Sequence, residues 1–133
     1  MSDLMKCRTL SVSIDRPPEE VYAFASNPGN LPRWVTSFCQ SVRRSGDDWF
    51  METPAGSIGI RFAAANEFGI LDHTVILPEG ESILNPMRVV GNGRGSEVLF
   101  TLFQLAGMSD AKFEEDAAMI EADLRMLKTV LES

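Results

Sequence analysis

His73 is the only histidine in the chain. It is also the one side chain whose ordinary chemistry lets it exchange a proton near neutral pH. One histidine cannot build a two-histidine metal site, and the HExxH spacing is absent, so no metal is expected. His73 sits mid-strand beside Asp72, and adjacent strand residues point to opposite faces, so the two do not form a dyad. Pointing inward, His73 would hold a ligand or act as acid or base; otherwise it is a core histidine bonded to a neighbouring strand. Arg88 lies on the following strand. Facing inward it would pair with a ligand carboxylate or a helix aspartate; facing outward it belongs to a wet convex surface. The turn from Pro78 to Ser82 admits two registers, so both orientations stay open. Asn85, on the same strand, is a third candidate to orient a ligand.

The last helix offers two carboxylates and two thioethers. Asp116 and Asp123 are seven apart and share a helical face. They sit between a leucine stripe and a second apolar set that includes Met119 and Met126. Acids inside an apolar arc need partners if buried. The plainer reading is a solvated helix edge; the functional one is a pair at a pocket rim, one of them held by Arg88, Arg61 or Arg43. Met119 and Met126 suit a pocket wall that adapts to shape, with Phe50, Ile60, Phe62 and Phe100 on strands opposite them. No nucleophile stands out: Cys39 has no third group to complete a set with His73, and no serine has a G-x-S-x-G context. Gly91–Gly95 lacks the Gly-Lys-Ser/Thr of a phosphate loop and precedes a strand, so it reads as a hairpin turn and implies no nucleotide cofactor.

These side chains need a scaffold, and the size of the chain bounds it. A length of 133 residues implies one domain spanning 1–133. A net charge of −7 disfavours nucleic acid and anionic membrane surfaces as partners. Two cysteines make no disulfide framework, and neither a signal-peptide run nor a twenty-residue apolar span is present, so the expectation is a cytoplasmic protein.

Alternation over 6–14 predicts a half-buried strand with Leu10, Val12 and Ile14 inward. Pro17-Pro18-Glu19-Glu20 predicts a helix start, with Asp15 as its cap. Asn30–Trp34 makes a further short turn. Strands are expected over 38–45, 48–53, 57–65, 70–77, 82–90 and 96–105, antiparallel because the loops between them are short. Ser109 caps a helix running to about Leu131. Its apolar stripe is Phe113, Ala117, Ile120, Leu124, Leu127 and Leu131, and it is about 34 Å long. Six strands are too many for one helix to cover if the sheet is flat. The sheet must curve around the helix, and such folds tend to hold a pocket between the two. Strand 96–105 is apolar on both faces, which would leave Leu99 and Phe103 outside as a surface for a homodimer or another protein.

The element order, with Ile14, Pro17, Glu20, Val21, Tyr22, Phe24, Pro28, Asn30 and Trp34, resembles the opening of the helix-grip (START-like, SRPBCC) superfamily. The second half, FGILDHTVILPEG and NPMRVVGNGRGSEVLFTLFQ, resembles its cyclase-like bacterial branch. The resemblance implies an α+β helix-grip fold: a curved, seven-stranded antiparallel sheet around a long C-terminal helix. It also implies a pocket for a small, mostly hydrophobic ligand; entry is expected between the short helices and the end of the last helix, where loops can open. The candidate contacts are His73, Asn85, Arg88, Phe50, Phe62, Phe100, Met119, Asp123 and Met126. Two other functions remain: a polyketide cyclase or dehydratase-like enzyme using His73, and a protein-interaction module, which a void-free interior would favour.

Overall fold

A computed structural model describes residues 3–133. The chain opens with strand β1 (Cys7–Ile14), helix α1 (Pro18–Ala25), a 3-10 turn (Pro28–Asn30) and helix α2 (Leu31–Trp34). Strands β2 (Ser41–Ser45), β3 (Asp48–Thr53), β4 (Gly56–Phe62), β5 (His73–Ile76), β6 (Ser82–Asn85), β7 (Met87–Asn92) and β8 (Gly95–Phe103) follow, and helix α3 (Asp110–Glu132) ends the chain.

All strand pairs are antiparallel. They run in the order β1-β8-β7 and β2-β3-β4-β5-β6. The expected strand over 82–90 is therefore two strands, because Pro86 has no N–H to continue the ladder. The halves remain stitched together: Leu71 N–H donates to Met87 O and Val89 N–H to Gly69 O, both at 2.9 Å. Beside the break, the Asp72 carboxylate accepts from Met87 N–H at 2.9 Å, doing what a ladder carbonyl would do. The sheet thus bends sharply at 69–72 and 86, which is how it wraps α3.

α3 packs against β1, α2 and β8. Phe113, Ala117, Leu124 and Leu127 are buried against the sheet, while Ile120 and Leu131 are half-buried. Ser109 Oγ accepts from Lys112 N–H at 3.1 Å and caps α3 as expected. The cap expected for α1 is absent: Pro17 occupies the N-cap without a side-chain bond. Asp15 instead donates its backbone N–H to Glu132 Oε2 at 2.8 Å, tying the start of α1 to the end of α3.

Leu99 and Phe103 are half-buried rather than exposed. Leu99 lies between Ser11 of β1 and Arg88 of β7 across the sheet. No described helix is long and apolar enough to cross a membrane.

Candidate functional site

The pocket floor follows from strand register. Ile60, Val75 and Ile83 oppose one another across β4, β5 and β6, and Phe62, His73 and Asn85 form the next row. Opposed residues in an antiparallel ladder point to the same face, so both rows line one cavity of about 230 Å³ beneath α3. Phe100 and Leu102 of β8 close one side, Leu31 and Trp34 of α2 another, and α3 residues Asp116, Met119, Ile120, Asp123 and Leu124 form the roof. The lining residues exposed to solvent are Ser37, after α2, and Leu84, on β6. The opening therefore lies between the short helices and the last strand of the five-stranded sheet. It runs along the middle of α3 rather than at its end.

His73 faces inward and is 8% exposed. Its ring lies 5.1 Å from that of Phe62 and 5.7 Å from that of Phe100. Nδ1 is 3.0 Å from the carbonyl oxygen of Leu71. A carbonyl only accepts, so Nδ1 carries the proton and the neutral ring keeps its lone pair on Nε2. Burial holds the imidazole pKa below its ordinary value, against the opposing pull of the Leu71 carbonyl and Asp72. The ring is therefore neutral at pH 7, and Nε2 has no hydrogen-bond partner among the described residues.

Asp72 points the other way, as alternation requires, and pairs with Arg88 on the outer face. Arg88 is thus absent from the pocket. Its neighbours Met87 and Val89 are the inward, buried residues of β7. Phe50 also lies outside. The tight turn that pairs Thr53 with Gly56 sets Met51 opposite Ile58 on the inner face and leaves Phe50 over Gly59 on the outer one. There the Arg43 guanidinium stacks on it, 4.4 Å from the ring centroid. Met126 sits beyond the cavity on the solvent side of α3 and is 36% exposed. Of the residues singled out from sequence, the cavity brings together His73, Asn85, Phe62, Phe100, Met119 and Asp123.

None of the three arginines named above holds a carboxylate of α3. Arg43 pairs with Glu52, Arg61 with Asp48 and Arg88 with Asp72. Asp123 is 6% exposed and is held by Ser37, whose N–H donates to Oδ1 at 3.1 Å and whose Oγ–H donates to Oδ2 at 2.7 Å. Burial raises its pKa, and the two Ser37 bonds offset this only in part. Asp116 is half-buried and pairs with Lys112 at 2.9 Å. Ser37, Trp34, Val75 and Ile83 were not among the predicted contacts. Val75 and Ile83 were within reach, lying two residues along the same strand faces from His73 and Asn85. Trp34 also carries the one buried side-chain donor among the described residues without a partner, its indole N–H. No group of three or more His, Cys, Asp or Glu residues among the described residues could hold a metal ion.

The raised pKa of Asp123 gives a testable sign. The folded state holds this proton more tightly than the unfolded chain. Its stabilising effect is complete below the ordinary value of 3.8 and is lost as pH rises through the raised folded value. An asparagine at 123 keeps an acceptor for Ser37 N–H and offers its own N–H to Ser37 Oγ. Asp123→Asn should therefore unfold at a higher urea concentration than the parent at pH 7, with the gap closing toward pH 4. A variant weaker than the parent at pH 7 would show that the charged carboxylate itself holds Ser37.

The whole-chain architecture matches solved structures. An uncharacterised protein from Bacillus thuringiensis superposes with a TM-score of 0.75 at 17% identity, over 96% of this chain and 100% of that one. Ara h 8.0201 is a second match, with a TM-score of 0.72 at 13% identity over 98% and 100% of the two chains. A START superfamily protein from Mycobacterium smegmatis gives 0.67 at 12% identity over 95% and 97%. The fold is the START-like helix-grip fold. No protein-family model matches the sequence, and no curated protein does. In this helix-grip chain the grip is loose at one place, where β4, β5 and β6 pass under the middle of α3 and leave the cavity.

Proposed function

We propose that this helix-grip protein binds or carries a small, mostly apolar molecule in the cavity between sheet and α3. The observation that carries the reading is the void itself, about 230 Å³ and walled by Phe62, Phe100, Ile60, Val75, Leu102 and Met119. A dry cavity of about 150 Å³ takes up benzene, so by proportion this one accommodates roughly nine or ten heavy atoms. The general ligand-binding role of the fold supports the same reading. Each CH₂ moved from water to such a site contributes about 0.8 kcal/mol. A protein-interaction module with a filled interior fits the cavity less well.

The test is a thermal-shift screen with uncharged one- and two-ring compounds, alongside native mass spectrometry of the protein purified from its host. A ligand present at a hundred times its Kd stabilises by about 2.7 kcal/mol. For a domain of this length that raises the melting midpoint by about 10 °C. A bare native chain that no compound in the screen stabilises would overturn the reading.

A second reading, acid-base chemistry by His73, is favoured by the free Nε2 lone pair on a tautomer held by Leu71. Against it, no other acid, base or nucleophile is hydrogen-bonded to the ring among the described residues. His73→Ala separates the two. For a carrier, loss of one neutral hydrogen bond weakens binding by about tenfold at most. Retained binding with loss of a measured turnover would establish the enzyme.

A further inference from the structure

The polar groups that meet in the cavity are mostly acceptors. His73 offers Nε2 as an acceptor, because its only ring proton is committed to Leu71. Asp123 and Asp116 present carboxylates from α3, and no lysine or arginine lines the cavity. Lys112 touches Asp116 from the solvent side, where water screens its charge. Asp123 has no cationic partner; it is held by Ser37 alone. The Asn85 amide, both donor and acceptor, faces His73 across the β5–β6 ladder and makes no hydrogen bond within the described residues, and the lining residue Trp34 keeps an unpartnered indole N–H. The arginine that would have received an acidic ligand, Arg88, is on the opposite face of the sheet, paired to Asp72.

From this arrangement we infer that the cavity excludes anions and takes a compact ring molecule, uncharged or cationic, that donates hydrogen bonds. An entering carboxylate or phosphate would leave its water for a site where Asp123 has no cationic partner and the one cation near Asp116, Lys112, is already paired at the exposed rim, a cost that apolar contact must overcome. A hydroxyl or ammonium group loses its water but finds Nε2 of His73, the Asn85 oxygen and the α3 carboxylates. Fatty acids and other acidic lipids are thereby disfavoured, although the walls would suit their chains. The inference rests on the cavity being the binding site, as proposed above.

Four probes of one shape, none above ten heavy atoms, test it: toluene, 4-methylphenol, 4-methylbenzylammonium and 4-methylbenzoate, each titrated calorimetrically into the full chain at pH 7. The expected result is that 4-methylphenol and the ammonium bind at least tenfold more tightly than 4-methylbenzoate, and that 4-methylphenol binds more tightly than toluene. A 4-methylbenzoate affinity within tenfold of the other two, or toluene equal to 4-methylphenol, overturns the selectivity and leaves the cavity reading intact. Failure of all four to bind removes the cavity reading and the selectivity with it. In Asp116→Asn and in Asp116→Asn/Asp123→Asn the discrimination against 4-methylbenzoate should fall at least threefold. Asp116 is half-buried at the rim, so the single variant reports even if the double variant does not fold. Unchanged discrimination in the single variant overturns the role given to the carboxylates.

Discussion

Gly69→Ala is expected to cost about 3 kcal/mol or more, a fall in melting midpoint of about 10 °C for a domain of this size. Gly69 has φ +74°, and a Cβ built there would lie 2.1 Å from the carbonyl oxygen of Val89. That oxygen is backbone and cannot swing aside. Relief would require parting the two chains at the point where Val89 N–H donates to Gly69 O, which is one of the few stitches joining the halves of the sheet. Gly80→Ala is the control. Its φ is +95° but nothing lies within 4 Å of the added carbon, so only the backbone preference of about 1–2 kcal/mol applies. Equal melting curves for the two variants would show that the close approach at Gly69 is not what sets the bend.

Val75→Trp is expected to abolish binding of a two-ring ligand, by a hundredfold or more, which is about 2.7 kcal/mol. Val75 stands at the centre of the floor, between Ile60 and Ile83. It is half-buried and its side chain meets open space. An indole placed there enters a void that already exists, so the usual overpacking penalty of about 1–3 kcal/mol should be small and the fold retained. Circular dichroism and a melting midpoint within a few degrees of the parent would establish that. A folded Val75→Trp variant with undiminished affinity would place the ligand elsewhere on the molecule.

Much of this architecture was legible from local pattern. The proline-started α1, the Ser109 cap, the alternation in β1 and the stripe on α3 are short-range signals, and each element appears within a few residues of its expected bounds. Opposite facing of Asp72 and His73 was also legible, since it needs only the two-residue period of a strand. The roles of Arg88 and Phe50 were not. Both depend on which residue stands across the ladder, and that is decided by the turn geometry at Pro54–Gly56 and by the break at Pro86. The helix period placed Asp123 and Met126 near one apolar arc, but not where along α3 the sheet opens a void. That explains why Met119 lines the cavity and Met126, seven residues on, faces solvent.

What the sequence by itself determined is the set of elements, their order, and which side of each is apolar, because periodicity and capping act over a turn or a few residues. What only the tertiary structure decided is the company each polar side chain keeps. The pairing of Asp123 with Ser37 spans 86 positions of chain, and those of Arg43, Arg61 and Arg88 with Glu52, Asp48 and Asp72 keep the candidate cations out of the cavity. Such contacts are fixed by the bend of the sheet and the resting place of the helix, which are cooperative results of packing the whole domain. The chemistry of the cavity, rich in acceptors and without a cation, is a property of that packing.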